Sequence, residues 1–118
     1  MKHIMKINDN AFKRMQMGTK KREYRVNDEK RKLVKVGDSI EFRKLSNLEE
    51  TILMNVCEIE IFNSLYEAIS AHFEEDFSDR HRDVESTVNS FLEKGFCSEE
   101  EIAKNGMVVF KIQEHKKN

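Results

Sequence analysis

The chain has 118 residues, of which 38% are hydrophobic and 36% charged, a length that suffices for one domain over residues 1–118 and not for two. Its 21 Lys and Arg nearly balance its 22 Asp and Glu, so no overall basic excess marks a nucleic-acid-binding protein. The charge is unevenly distributed, because residues 1–44 hold 14 Lys and Arg against 6 acids, whereas residues 45–118 hold 7 against 16. This asymmetry indicates either a charged ligand or partner, or a solvated surface on which the two charges interleave.

Several classes of protein are excluded by what the sequence lacks. No apolar run approaches the roughly 18 residues of a membrane-spanning helix, and residues 1–7 lack the apolar core of a secretory signal, so we expect a cytoplasmic protein without membrane contact. Cys57 and Cys97 form no CxxC pair and are expected to be buried, reduced thiols. The histidines show no zinc-ligand spacing, and no P-loop or dinucleotide fingerprint is present. We therefore expect no metal and no cofactor.

The first third of the chain predicts a strand, a helix and a second strand. Residues 3–7 are apolar enough for a strand, and Asn8 or Asp9 then offers an N-cap for a helix over residues 11–17 that ends at Gly18. Residues 20–26 predict a strand with no apolar face, as in an exposed sheet edge or the wall of a wet cavity. The charged stretch 27–35 predicts a loop with a short helical turn.

The middle of the chain predicts two more strands. Residues 39–43 alternate between apolar and polar side chains, which is typical of a half-buried strand. Residues 51–62 form the longest β-like run, but its apolar parity changes between Val56 and Ile61. We therefore expect the buried face to change near Cys57, with a bulge or strong coil at that point.

Helix signals dominate the last third. Capping residues recur at Ser64, Asp83 and Ser98, and the helix after Asp83 is closed by Gly95. The helix after Ser98 is expected to be a single turn, followed by a final strand over residues 107–112. The predicted elements follow one another as a strand, a helix, three strands, several helices and a final strand. This order is typical of an α+β fold with local connections, most simply a small curled sheet or barrel with helices on one side or end.

The segment GTKKREYR over residues 18–25 is the most informative for function. It matches the GxKxxExR signature of ASCH domains, a family related to PUA domains. The following VNDEKRKLVKVGDSIEF and the closing strand look similar as well, so the resemblance covers nearly the whole chain. It implies an α+β fold with a small PUA-like β-barrel of about six strands, flanked by two or three helices, in which the signature lines a cleft.

The side chains of this signature suit a ligand site. Gly18 allows a left-handed turn and close approach of a ligand to the backbone. Lys20 and Arg25 are cationic donors for a phosphate or a nucleobase carbonyl. Glu23 shares the parity of Arg25, so it could be held ionised by it and accept hydrogen bonds or act as a general base. The predicted ligand-binding residues are Gly18, Lys20, Lys21, Arg22, Glu23 and Arg25.

A purely structural interpretation stays open beside this one. Lys20, Glu23 and Arg25 could form a salt-bridge network that fastens the junction between helix and strand, a role that stabilises little at a surface. Tyr24 could stack on a base, but its parity is opposite to that of Glu23, which favours packing in the core.

We consider two main functions. The first is a monomeric module that binds RNA, a nucleotide or a modified nucleoside, because the resemblance implies a role in RNA metabolism. Further basic residues would help to attract phosphate, and binding would weaken as salt rises. These residues are Lys13, Arg14, Lys30, Arg31 and Lys32.

The second function is a hydrolase of a modified nucleoside or of RNA, with Lys20 and Glu23 as the acid/base pair. Some small bacterial ASCH proteins remove the acetyl group from N4-acetylcytidine with the motif lysine, a threonine and a later glutamate. Glu23 stands in the place of that threonine, and Asp83 is a candidate for the later acid, as are Asp79 and Glu85. A third interpretation is a protein-interaction domain whose acidic helices bind a basic partner.

Overall fold

Ten helices and strands follow one another along residues 1–115, which are the residues that the structure, a computed structural model, describes. They are β1 (Lys2–Ile7), α1 (Asp9–Gln16), β2 (Arg22–Val26), β3 (Ser39–Lys44), β4 (Asn47–Phe62), α2 (Leu65–Ala71), α3 (Phe73–Asp76), α4 (Val84–Glu93), α5 (Glu99–Asn105) and β5 (Met107–Glu114). A 3-10 turn at Arg31–Leu33 lies in the charged stretch between β2 and β3, where a short helical turn was expected.

The five strands found in residues 1–115 form one curled sheet in the order β1-β3-β4-β5-β2. β1 runs parallel to β3, with Met5 opposite Phe42, and β3 is antiparallel to β4, with a register shift between Arg43 and Lys44. β2 lies at the edge of the sheet, one of the two positions that its polar sequence indicates. The α+β class is therefore confirmed, and residues 1–115 contain five strands, where about six were expected, and five α-helices, where two or three were expected.

The helices begin at the capping residues that the sequence offers. Asn8 Oδ1 accepts the N–H of Ala11 at 2.9 Å, and Ser64, Asp83 and Ser98 each accept an N–H at the starts of α2, α4 and α5. These bonds satisfy backbone donors that have no partner inside a helix. With seven residues, α5 is longer than the single turn that was expected.

The chain groups into two compact units. The first comprises Met1–Glu23, Val34–Ile59 and the C-terminal segment from Phe110. In α1, Ala11, Phe12 and Met15 share one face through their i, i+3 and i+4 spacing, and all three are buried. The other buried hydrophobic side chains of this unit are Met5, Ile7, Val34, Ile40, Phe42, Met54, Val56, Phe110 and Ile112.

The second unit comprises Tyr24–Leu33 and Glu60–Val109. Its core contains Val26, Leu65, Ala68, Ile69, Phe77, Cys97, Ile102, Met107 and Val109. Gly106 ends α5 with φ +73°, and a Cβ at that position would lie 2.8 Å from the carbonyl oxygen of Phe62. Only glycine fits this close approach without a shift of the backbone.

One expectation for β4 is met only in part. Glu58 is exposed and Ile59 half-buried, as a change of parity near Cys57 predicts, but Ile61 is 58% exposed. Phe62 packs against the core of the second unit instead, and it has the same even parity as the buried Val56. The aromatic ring supplies the apolar contact that the sequence pattern assigned to isoleucine.

Two further expectations concern the cysteines and the membrane. Both cysteines are free thiols, and Cys97 is buried as expected, whereas Cys57 is only half-buried. Burial raises the pKa of the Cys97 thiol, and the negative charge of Glu101 raises it further. Within residues 1–115, no helix combines the length and the apolar character needed to cross a membrane.

Candidate functional site

The signature begins where α1 ends. Gly18 adopts φ +77°, the left-handed turn that the sequence predicts, and its N–H donates to Met15 O at 3.1 Å. The N–H groups of Thr19 and Lys20 both donate to Arg14 O, which satisfies carbonyl capacity at the helix end. Gly18 is exposed, and a Cβ there would meet no atom within 4 Å, so the space over this turn is open.

The central feature of the site is an ion pair with little exposure to solvent. Lys20 Nζ lies 3.1 Å from Glu23 Oε1, and the two side chains are only 12% and 7% exposed. The same ammonium donates to the carbonyl oxygen of Arg22 at 2.8 Å. Burying two charges costs several kcal/mol in desolvation, which is offset only by close pairing and hydrogen bonds of this kind. The pair therefore fixes the position of both groups.

Lys20 reaches Glu23 because β2 starts later than expected. In a strand over residues 20–26, Lys20 and Glu23 would have opposite parity and point to opposite faces. The strand begins only at Arg22, so strand parity does not apply to Lys20. The ammonium of Lys20 therefore lies against Glu23, a contact that strand parity alone does not predict.

The remaining signature residues differ in their exposure. Lys21 is exposed, and its carbonyl accepts the N–H of Ile112 at 3.0 Å, which ties this segment to β5. Arg22 is 8% exposed and Arg25 is half-buried. Of the predicted ligand-binding side chains, Lys21 is thus the one that projects most freely into solvent.

Other basic residues near the signature in sequence are also available to solvent. Lys13 and Lys35, in the first unit, are exposed, as are Lys30 and Lys32 in the second. Arg31 is half-buried and pairs with Asp28 at 3.2 Å, so part of its charge is compensated locally. The same holds for Lys32, which lies 3.6 Å from Glu29.

Tyr24 is half-buried and packs against the core of the second unit, in agreement with its parity. Its ring lies 5.0 Å from that of Phe77 and 6.3 Å from that of Phe91, measured between centroids. Its hydroxyl donates to Asp76 Oδ2 at 2.5 Å, which provides the polar partner that a packed tyrosine needs. Because the ring is held in this aromatic cluster, it is poorly suited to stack on a base.

Asp83, the candidate for the later acid, is the N-cap of α4. Its Oδ1 accepts the N–H of Ser86 at 2.8 Å, and Arg82 Nε donates to Oδ2 at 3.3 Å. The backbone and hydroxyl hydrogen bonds from Ser86 hold the pKa of Asp83 below its ordinary value. A carboxylate that stays ionised and serves as a helix cap is poorly suited to act as a general acid.

Two polar pairs in the second unit escaped the sequence reasoning. His72 Nε2 lies 2.6 Å from Glu60 Oε1, and Asp76 bonds to Tyr24 as described. His72 and Glu60 are 12 residues apart in the sequence, and Tyr24 and Asp76 are 52 apart. No local sequence pattern therefore predicts either pair. Among the described residues, no group of three or more His, Cys, Asp or Glu side chains is placed to hold a metal ion.

Comparison with known proteins identifies the family. The model of the ASCH domain family matches residues 5–116, and the chain belongs to that family. A comparison with curated proteins found no match.

Solved structures show the same fold. The crystal structure of the hypothetical protein PH0355 is 27% identical, covers 98% of this chain and 100% of its own, and gives a TM-score of 0.84. The NMR structure of protein PF0455 from Pyrococcus furiosus is 24% identical, with coverage of 99% and 100% and a TM-score of 0.74. The crystal structure of a mutant of ZmASCH from Zymomonas mobilis is 14% identical, with coverage of 98% and 69% and a TM-score of 0.64.

Proposed function

We propose that residues 1–118 act as one ASCH domain that binds RNA or a nucleotide at the signature. The observation that carries the proposal is the Lys20–Glu23 pair, held at 3.1 Å with little exposure beside an open left-handed turn at Gly18. A charged pair kept in place at the cost of desolvation is a fixed set of donors and acceptors, which suits recognition of a polar ligand.

The exposed cations give this site its attraction for phosphate. Lys13, Lys21 and Lys35 belong to the same unit as the pair and are exposed. A protein that neutralises phosphates with such groups releases counterions, so its affinity falls linearly with salt on logarithmic axes. Lys21 is the signature residue best placed for this task, because its side chain is not needed for the buried pair.

The test is binding of a fluorescent single-stranded RNA, followed by anisotropy from low to physiological salt. We expect steeply salt-dependent binding, with Lys21→Ala weakening it and reducing the salt slope by about 0.7 for one lost phosphate contact. The matched control is Lys104→Ala, which removes the same charge from an exposed position in the acidic half. No binding at low salt, or equal weakening in both variants, would contradict the proposal.

A second candidate is hydrolysis of a modified nucleoside or of RNA. It is favoured by the direct contact of an ammonium and a carboxylate with 12% and 7% exposure, since a lysine and a carboxylate held together can serve as general acid and general base. Lys20 and Glu23 would then be the acid/base pair, and Asp83, which caps α4, is the less suited candidate for a further acid.

Incubation with N4-acetylcytidine and with single-stranded RNA separates the two candidates. Turnover that disappears in Lys20→Ala and in Glu23→Gln, while circular dichroism shows both variants folded, supports the hydrolase. Turnover that is the same in wild type and both variants comes from another group or a contaminant. Binding without turnover leaves the ligand-binding proposal as the function.

A further inference from the structure

A groove between the end of α4 and the start of α5 lies outside the signature. It has a volume of about 580 Å³, within the range of roughly 300–1,000 Å³ that is usual for ligand sites. Its lining includes the apolar side chains of Leu92, Phe96 and Cys97 and the carboxylates of Glu93, Glu99 and Glu101. All of these residues belong to the second unit, and we call this feature the α4–α5 groove.

Phe96 presents an aromatic surface that is fixed in place. It is 51% exposed, yet its ring packs edge-to-face on that of Phe91, with centroids 5.6 Å apart and an interplanar angle of 89°. Aromatic side chains held in this way are typical anchors of interfaces, because little conformational entropy remains to be lost on binding.

The charge of the groove is one-sided. Glu93, Glu99 and Glu101 are all exposed, and the described lining residues include no lysine or arginine. Glu101 accepts a hydrogen bond from the hydroxyl of Ser98 at 3.0 Å, which orients its carboxylate at the start of α5. Such a rim repels phosphate and attracts cationic side chains.

We propose that the α4–α5 groove is a docking site for a basic polypeptide segment, in which arginine or lysine side chains flank an apolar anchor. The apolar anchor packs on Leu92 and Phe96, and the flanking cations pair with the glutamates. An arginine also gains a cation–π contact with the exposed face of Phe96. The α4–α5 groove differs in charge from the proposed RNA-binding site. The groove attracts cations, whereas the RNA-binding site attracts anions.

The probe is a short fluorescent peptide with arginines on both sides of one central phenylalanine, measured by anisotropy with the full-length protein. We expect saturable binding that is lost when the arginines are replaced by glutamates and weakened when the phenylalanine is replaced by serine. Phe96→Ser and the triple variant E93Q/E99Q/E101Q should each lower the affinity about tenfold or more, as expected for removal of interface anchors.

The matched control is the triple variant E67Q/E74Q/E85Q, which removes the same charge from exposed helical positions of the same unit outside the groove. Equal weakening by the two triple variants would mean general attraction to an acidic protein and would overturn the proposal. A dimer in sedimentation that the groove variants dissociate would assign the groove to a second copy and overturn it too. RNA affinity should be the same in Phe96→Ser and wild type.

Discussion

Lys20 and Glu23 are more than a surface ion pair, because little of either side chain is exposed. Substitution of Lys20 by Met keeps much of the side-chain volume and removes the ammonium, leaving the carboxylate of Glu23 buried without it. We expect the free energy of unfolding to fall by about 3 kcal/mol, measured by urea denaturation.

The double variant K20M/E23Q should recover much of this loss, because the glutamine amide at position 23 carries no charge to bury next to the methionine. The control is Lys111→Met, which breaks the longer and more exposed pair with Glu58 and should cost less than about 1 kcal/mol. Equal losses in K20M and K111M would show that burial adds nothing to the signature pair.

Asp38 gives the stability of the protein a defined pH dependence. Hydrogen bonds from His3, from the N–H of Lys35 and from the amino group of Met1 hold the pKa of this carboxyl well below its ordinary value. Because the unfolded chain then takes up the proton first, the stabilisation by Asp38 is complete above about pH 4 and is lost toward lower pH.

Removal of this carboxylate should therefore flatten the acid limb of the stability curve. We expect Asp38→Asn to lower Tm at pH 7, and between about pH 5 and pH 2 its Tm should fall less steeply than that of the wild type. Glu49→Gln, at an exposed position of β4, is the control for loss of one carboxylate. Parallel curves for wild type and Asp38→Asn would contradict the assignment.

At the scale of elements, the junction of α5 and β5 depends on Gly106. Alanine there requires both an unfavourable positive φ and a Cβ only 2.8 Å from Phe62 O. Gly95 is a matched control, because its φ is also +73° but a Cβ there would meet nothing within 4 Å. Gly95→Ala should lower the free energy of unfolding by about 1 kcal/mol because of the positive φ alone. Gly106→Ala should lower it by clearly more.

Denaturant unfolding of the two variants measures this difference. Gly106→Ala should lose more free energy of unfolding than Gly95→Ala. This additional loss measures the close approach of the two backbone segments, because the strained φ is common to both variants. Equal costs would mean that the backbone at Phe62 shifts without penalty.

Elements that local signals define were predictable, and elements that depend on distant partners were not. The caps at Asn8, Ser64, Asp83 and Ser98 fixed the helix starts, because capping needs only residues three or four positions apart. The strand order and the exposure of Ile61 depend on which segments pack together, and periodicity carries no such information.

The candidate site shows the same division. The GxKxxExR motif located Gly18, Lys20 and Glu23, and the left-handed turn at Gly18 followed from its place after a helix. The contact between Lys20 and Glu23 depends on a strand that starts two residues later than the pattern suggests, and strand ends are the least certain part of such reading. The partners of His72 and Tyr24 come from other elements altogether.

At the scale of the whole molecule, a formal net charge of −1 conceals a basic excess in residues 1–44 and an acidic excess in residues 45–118. We expect the Tm of the protein to rise on addition of a short single-stranded RNA at low salt, because a ligand that binds the folded state stabilises it by mass action. At a free concentration of about one hundred times Kd the gain is about 2.7 kcal/mol.

Salt is the control for this prediction, since the increase in Tm caused by RNA should become smaller as ionic strength rises. A neutral polymer of similar size should leave Tm unchanged. A shift that persists at high salt would point to a ligand held by uncharged contacts, and no shift at any salt would contradict RNA binding.

The charges of β2 have a consequence for how the protein behaves at high concentration. A strand at a sheet edge exposes backbone groups that can pair with a strand of another molecule, which is a route to aggregation. β2 carries Arg22, Glu23 and Arg25 at one edge of the sheet, and β1, at the other edge, carries exposed lysines at positions 2 and 6. Exchanging the charged residues of β2 for apolar ones would therefore remove part of the protection that keeps separate copies from joining edge to edge.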